Sequence, residues 1–509
     1  MSADPVAEAL AALAQGSAAQ ALALLRGAGA AIADHPLALQ AWSVALEGEN
    51  ETAASLALAE RAARIAPSDA QAHFNWAVQL QAMNDLPAAM ARYAQALRLI
   101  PDHLGALNNL SDLYRRNGRS AEGYALMQRF LASGGASAGQ EIRLAKLALD
   151  THRLEEAERW FSAAAKADPA NPLIAFEHAM LLLLREDWAR GWAGYEARSA
   201  LYGPGGLAMA NYPLPAWDGR SPGHVLIHRE QGLGDTMMFA AAIPDMIAEG
   251  ITPHIAQAPS LYRLFAESFP GAHVWSSITV IGVDQQPEQP FLRVCGPLDA
   301  QAPVCSLGAL RMGGGPPPPR PYLRAPAHEI PLWKERMEAL APRLVGKRRV
   351  GLCFAARRPA VQANGAVNGE LKSIPGASLN QLANVPHTQW FSLHDSSTAP
   401  LLADGPSLDI VDLSPWITDF ADTAAAIAHL DLVITVDTAI AHLAGGGLGA
   451  PTWLLLRRNA DWRWGVDRED AVWYPQMRVF RQTTDGDWAP VVAAVARALS
   501  WSSGRRRSS

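Results

Sequence analysis

Two short stretches place residues capable of chemistry where a strand gives way to a helix. The first is the run QGLGD, residues 231–235. Gly232 and Gly234 lack a Cβ, so they permit a tight turn and a close approach of backbone to a ligand. Asp235 stands where a helix begins, and a carboxylate there serves as an N-cap or as a general base. A single Gly-x-Gly falls short of a dinucleotide fingerprint. The second stretch is VDTAIAHL, residues 436–443. Asp437 and Thr438 directly follow an apolar strand. The first amides of the helix behind them lack intrahelical partners and sit at its positive end, which suits a diphosphate. His442 falls one turn on, on the face of Thr438. Capping by Asp437 and Thr438, and a satisfied core histidine at 442, are the plain alternatives. The DGD run at 485–487 has the outline of a metal-binding Asp-x-Asp. It lies just before the helical stretch WAPVVAAVARAL, so capping is the better reading.

Composition narrows the classes. The chain has 509 residues, 49% of them apolar and 18% charged, so it can bury real cores. Its 43 basic and 49 acidic side chains give a formal charge of −6, which lacks the basic field of a nucleic-acid binder. Cys295, Cys305 and Cys353 are too few and scattered for a disulfide framework or a four-ligand zinc site. Without an apolar signal segment or a membrane-length apolar run, the expected location is cytoplasmic.

The elements that must carry these residues follow from periodicity. Gly16, Asn50, Asn84, Gly118, His152 and Glu186 recur every 34 residues, mostly in polar breaks. Tyr93, Met127, Phe161 and Tyr195 form a bulky series with the same step, and Ala62, Ala96, Phe130 and Ala164 a mostly small one. Pro67, Pro101, Gly135 and Pro169 follow as terminators, while Pro36 is three residues out of step. Helix, polar turn, helix, with a 34-residue period, resembles the tetratricopeptide repeat over residues 1–200, an α-solenoid of five or six units whose groove suits a peptide or partner helix. SGGASAG, residues 133–139, reads as a loose joint.

After a Gly/Pro-rich connector at 201–222 the pattern alternates strand and helix. Strands are expected at 224–230, 252–256, 348–356, 388–394, 431–436 and 451–456, and helices at 236–250, 260–269, 378–385 and 421–430. Such alternation predicts parallel sheets covered on both faces. MGGGPPPPRP, residues 312–321, reads as a stiff spacer between two Rossmann-like lobes at 223–325 and 326–502, with a disordered tail at 503–509.

HREQGLGDTMMFA (228–240), KSIP (372–375), residues 417–445, and DWRW…VWYPQMRVFRQ (461–482) together resemble the bacterial glycosyltransferases related to lipopolysaccharide heptosyltransferases. The branch in which tetratricopeptide repeats precede the transferase region is the nearer match, over about residues 185–500. The resemblance implies a GT-B fold with the nucleotide-sugar donor held mainly by the C-terminal lobe. It also implies inverting transfer with no cofactor and no metal. Asp235 matches the family's general base, and Lys372 the cation that stabilises the leaving phosphate, a position where repeat-bearing relatives often have Arg. Asp437, Thr438 and His442 match the signature that contacts the pyrophosphate, with Gly232 and Gly234 in the donor-side turn. Residues 357–371 match the family less well. By the resemblance DWRWGVDRED, residues 461–470, helps shape the donor pocket; tryptophan packing between lobes is the plain alternative, and no catalytic role is assigned there. Some flagellin glycosyltransferases share this layout, so the expected acceptor is a protein hydroxyl, with flagellin the suggested protein. The other readings are a binding scaffold with a degenerate transferase region, and transfer to a glycan or lipid-linked acceptor.

Overall fold

The computed structural model describes residues 4–132, 138–201, 212, 214–276, 295–356, 372–398 and 407–504. Contacts divide the chain into two units, Met1–Ala167 and Asp168–Ser509.

The first unit is a run of helix pairs: Pro5–Ala14 with Ala18–Ala28, Pro36–Gly48 with Thr52–Ile65, Ala70–Ala82 with Leu86–Leu99, Leu104–Arg116 with Ser120–Ala132, and Ala138–Asp150 with Leu154–Ala167. Each pair closes on the same backbone device. Gly16, Asn50, Asn84, Gly118 and His152 all adopt left-handed φ, between 59° and 78°. The amide of the next residue then reaches back to the carbonyl five positions before it, as in Asp85 N–H to Leu80 O at 2.9 Å and Arg153 N–H to Ala148 O at 2.8 Å. The 34-residue turn series is therefore a series of helix C-caps. The bulky and small series fill the space between helices: Tyr93, Met127, Phe161, Ala62, Ala96 and Ala164 are fully buried. Phe130 is half-buried instead. Pro36 is not out of register; it opens its helix at the first position, as Pro172 does in the second unit. Of the expected joint, residues 133–137, with Gly135, lie outside the described residues, and Ala138 and Gly139 already belong to a helix.

The second unit opens with another helix pair in the same step, Pro172–Leu184 and Trp188–Tyr195, closed by left-handed Glu186. A short helix, Arg198–Leu201, follows; half of the expected connector, residues 202–211 and 213, lies outside the described residues. Ten strands are described: β1 His224–His228, β2 Thr252–Gln257, β3 His273–Ser276, β4 Ala300–Pro303, β5 Arg348–Cys353, β6 Thr388–Ser392, β7 Ile410–Asp412, β8 Leu432–Val436, β9 Thr452–Leu456 and β10 Arg478–Arg481. They form two parallel sheets, in the orders β3-β2-β1-β4 and β10-β9-β8-β5-β6-β7. Counted from its own first strand, the second sheet runs 3-2-1-4-5-6, the order of a doubly wound nucleotide fold, and the first sheet is its 3-2-1-4 part. One apolar core runs from β1 and β2 through Trp192 to Leu454 and Trp473, and a second lies between the other face of the second sheet and the C-terminal helix Ala489–Gly504.

Several expected elements take another form. The helix expected at 236–250 is divided into Leu233–Phe239, a 3-10 turn and Ile243–Ala248, because Pro244 begins the last piece. The 378–385 helix shrinks to single turns at Gly376–Leu379 and Asn380–Leu382. Behind β8 the chain makes a three-residue helix and then a π-helix, His442–Gly447. Gly445, Gly446 and Gly447 press against Met477, Tyr474 and Leu323, where any Cβ would clash. The stretch expected as a stiff spacer is anchored at its flanks: Met312 O accepts from Trp192 Nε1 at 3.0 Å, and Tyr322 and Leu323, just after it, both donate to Gly447 O at 2.9 Å. Asp487 caps the last helix through Ala489 N–H, as expected of the DGD run. That helix continues to Gly504, past the expected start of the tail; residues 505–509 lie outside the described residues.

Candidate active site

In a doubly wound sheet, neighbouring strands whose connections leave in opposite directions open a crevice at their C-terminal ends. Here the two such places lie between β1 and β4 and between β5 and β8. The residues singled out in the sequence follow these ends.

After β1 the chain turns through Gln231, Gly232 and Gly234. The left-handed residue of the turn is Gln231 (φ 54°), not a glycine; Gly232 has φ −84° and serves as the helix N-cap. Gly234 is needed for space. A Cβ there would stand 2.8 Å from His442 Cδ2, so the turn after β1 touches the helical run after β8. Asp235 divides its oxygens. Oδ2 accepts from Gly232 N–H at 2.9 Å, the capping role, and Oδ1 lies 2.5 Å from Arg463 Nη2.

At the second sheet, Lys372 Nζ meets Asp437 Oδ2 at 2.5 Å, with the two side chains 26% and 12% exposed. Thr438 caps the helical run by accepting from Ile440 N–H at 3.3 Å. His442 is buried; its Nδ1 is 3.0 Å from the Tyr474 hydroxyl and its ring 5.0 Å from that of Trp464. The core-histidine and site readings of His442 thus both have a physical basis.

Electrostatics joins the two ends. Burial by itself would raise the Asp437 carboxyl, yet the Lys372 ammonium, with smaller help from His442 and Trp464, holds it down at about 2. Burial opposes the charge on Lys372, but Asp437 and Asp461 outweigh it and push its pKa up. Burial and the Arg463 charge lower His442 to about 4, so its ring is neutral near pH 7. Arg463 binds Asp461 Oδ1 at 2.7 Å, and its guanidinium lies 4.4 Å over the Trp462 ring. A chain of alternating charge therefore runs Asp235, Arg463, Asp461, Lys372, Asp437. Arg457, at the end of β9, adds positive charge beside Lys372, and its Nε is buried without a hydrogen-bond partner among the described residues.

All seven singled-out residues lie at these two strand ends, and Gly234–His442 is the direct contact between them. Three members of the network were missed. Arg457, Asp461 and Arg463 come from the loop after β9, where a contribution to the donor pocket or tryptophan packing between lobes was expected at 461–470; Trp462 packs on Trp192 of the preceding helix pair, with centroids 5.6 Å apart. Their signal was a cluster of charges directly after an apolar strand. The stretch 357–371, which matches the resembled family less well, lies outside the described residues.

The crevice after β1 holds another ion pair. Arg198 grips Glu230 with both arms, at 2.5 and 3.0 Å, and donates to Ser306 Oγ at 2.7 Å beyond β4. These side chains are 1% and 2% exposed. Among the described residues no cluster of three or more His, Cys, Asp or Glu is arranged to hold a metal, and no helix is long and apolar enough to cross a membrane.

No family model matches the chain. It is 27% identical over 361 residues to Protein FlbA of Caulobacter vibrioides, a match covering 66% of this chain and 57% of that protein. The chain thus spans little more than half the length of that relative. Similar solved structures include pilF of Pseudomonas aeruginosa (18% identity, TM-score 0.35, covering 39% of this chain and 90% of that one). A tetratricopeptide repeat protein from Parabacteroides merdae is similar at 17% identity and a TM-score of 0.35, covering 38% of this chain and 78% of that one.

Proposed function

We propose that the second unit is a GT-B glycosyltransferase and that the helical repeats recruit a protein acceptor. The observation carrying this reading is the charge network that links Asp235, after the first sheet, to Lys372 and Asp437, after the second. In a GT-B enzyme the two sheets are the two lobes, with acceptor and donor meeting between them. The reaction needs a base on one side and an anion seat on the other. Asp235, with a side chain 21% exposed, takes the proton from the acceptor hydroxyl. That oxygen forms a bond to the anomeric carbon from the face opposite the leaving group. The carbon–oxygen bond to phosphate breaks with inversion, and its electron pair leaves with the nucleoside phosphate. Lys372, Arg457 and the amides behind Thr438 meet that charge without a metal. Gly232 and Gly234 keep the turn low beside the donor. The acceptor is a Ser or Thr hydroxyl of a protein held by the repeats; flagellin is proposed from the shared domain layout.

The test is intact-mass spectrometry of candidate acceptors co-expressed with the protein. A sugar-sized mass gain is expected with the wild type. With Asp235→Asn the transfer rate should fall by about 10²–10⁴, the usual worth of a general base. Undiminished transfer by folded Asp235→Asn would remove Asp235 from the role. Calorimetric titration with UDP, ADP and CMP showing no binding would favour the scaffold reading.

A further inference from the structure

We propose that Arg463 is a positioning residue, which reaches from the second sheet's side to hold the Asp235 carboxylate in its working orientation. This rests on the transferase reading above. A carboxylate held by one hydrogen bond still swings about its side-chain torsions. Asp235 is engaged at both oxygens: Oδ2 accepts a hydrogen bond from Gly232 N–H at 2.9 Å, and Oδ1 is in ion-pair contact with Arg463 Nη2 at 2.5 Å. Arg463 is itself fixed: its backbone N–H and Nη1 both donate to Asp461 Oδ1, at 3.1 and 2.7 Å, and its guanidinium stacks on Trp462. Exposure is unequal within the pair. The Arg463 side chain is 7% exposed and that of Asp235 21%, so the anion is the member that looks outward. The other titratable groups facing Asp235 are Tyr195 and Cys305 from the first side, and His442 and Tyr474 from the second. Burial pushes Tyr195, Cys305 and Tyr474 up and His442 down, so all four are neutral near pH 7. Arg463 is the charged one of the five, and it is the one in ion-pair contact with the carboxylate. A base after the first sheet is thereby completed by a loop after the second, and it is fully formed in the arrangement seen here.

Arg463→Gln leaves behind Asp235 and Asp461, both partly exposed, so the variant should fold. Two measurements test the proposal. The first uses urea unfolding of wild type, Asp235→Asn, Arg463→Gln and the double variant, without substrate. A coupling of at least fivefold in the unfolding equilibrium is expected, and additive effects would overturn the pairing. The second is the rate of sugar transfer. With Arg463→Gln the rate should drop about 100-fold, the usual loss when a reacting group is misplaced. Arg463→Lys, which keeps the charge, should recover at least tenfold of that rate. Equal losses in both variants would reduce Arg463 to packing. If the wild type transfers no sugar, the transferase reading fails while a positive coupling still establishes that Arg463 holds Asp235.

Discussion

The crevices after β1 and after β5 share a topology and each contains a buried or half-buried ion pair, yet they are finished differently. Arg198 and Glu230 are sealed at 1% and 2% exposure, whereas Lys372 and Asp437 remain 26% and 12% exposed. The seal comes from outside the sheet. Arg198 begins the short helix that follows the Trp188–Tyr195 helix, so chain leading out of the repeats fills the first crevice. Equal strand order therefore does not confer equal burial of the charges at the crevice. A pair satisfied on every side fastens one element to another, while a pair left partly open keeps charge available to a ligand.

The sharpest way to break this contrast is Arg198→Met. It leaves Glu230 buried and unpaired and should cost about 3–5 kcal/mol, read as an early urea transition of the α/β unit. If stability is unchanged, the first crevice is not sealed by this pair. Lys372→Met should cost less, about 2 kcal/mol near pH 7, because Asp437 retains some contact with water. The sign can be checked with pH. The folded pKa of Asp437 is about 2, below its ordinary 3.8. Its stabilisation is therefore complete above that ordinary value and is lost as pH falls through the folded one. The wild type should lose this advantage over Lys372→Met on acidification; a gap that widened toward pH 2 would contradict the assignment. Gly234→Ala probes the contact between the two ends. Its Cβ would meet His442, which is wedged between Trp464 and Tyr474, at a cost of about 1–2 kcal/mol in thermal unfolding. The smallest effect is expected for Ser306→Ala. It removes the hydroxyl between Arg198 and Glu196 and should cost about 1 kcal/mol in urea unfolding. A larger loss than for Arg198→Met would move the centre of the seal to the hydroxyl.

Much of the architecture was legible because its causes are local. A left-handed residue closes the first helix of each repeat pair, so Asn84 and Gly118 mark their turns from composition alone. The alternation of strand and helix located Asp235 and Asp437 at strand ends, since Asp437 directly follows an apolar run and Asp235 comes just after the glycine turn that closes one. The π-helix was not legible. Three successive glycines give no local signal for it; Met477, Tyr474 and Leu323, which press on them, come from elsewhere in the sequence. Arg463 was missed for a related reason. Its partner Asp235 is far away in sequence, and tryptophans on both sides of it made core packing the natural reading.

By itself the sequence determined the period of the repeats, the parallel sheets and the residue types available for chemistry, because helix caps, apolar alternation and glycine turns act over a few residues. Tertiary structure decided which charges meet. Asp235 has Arg463 as its counterion, and Glu230 is closed off by Arg198, because pairing and desolvation depend on distances through space that no local pattern encodes.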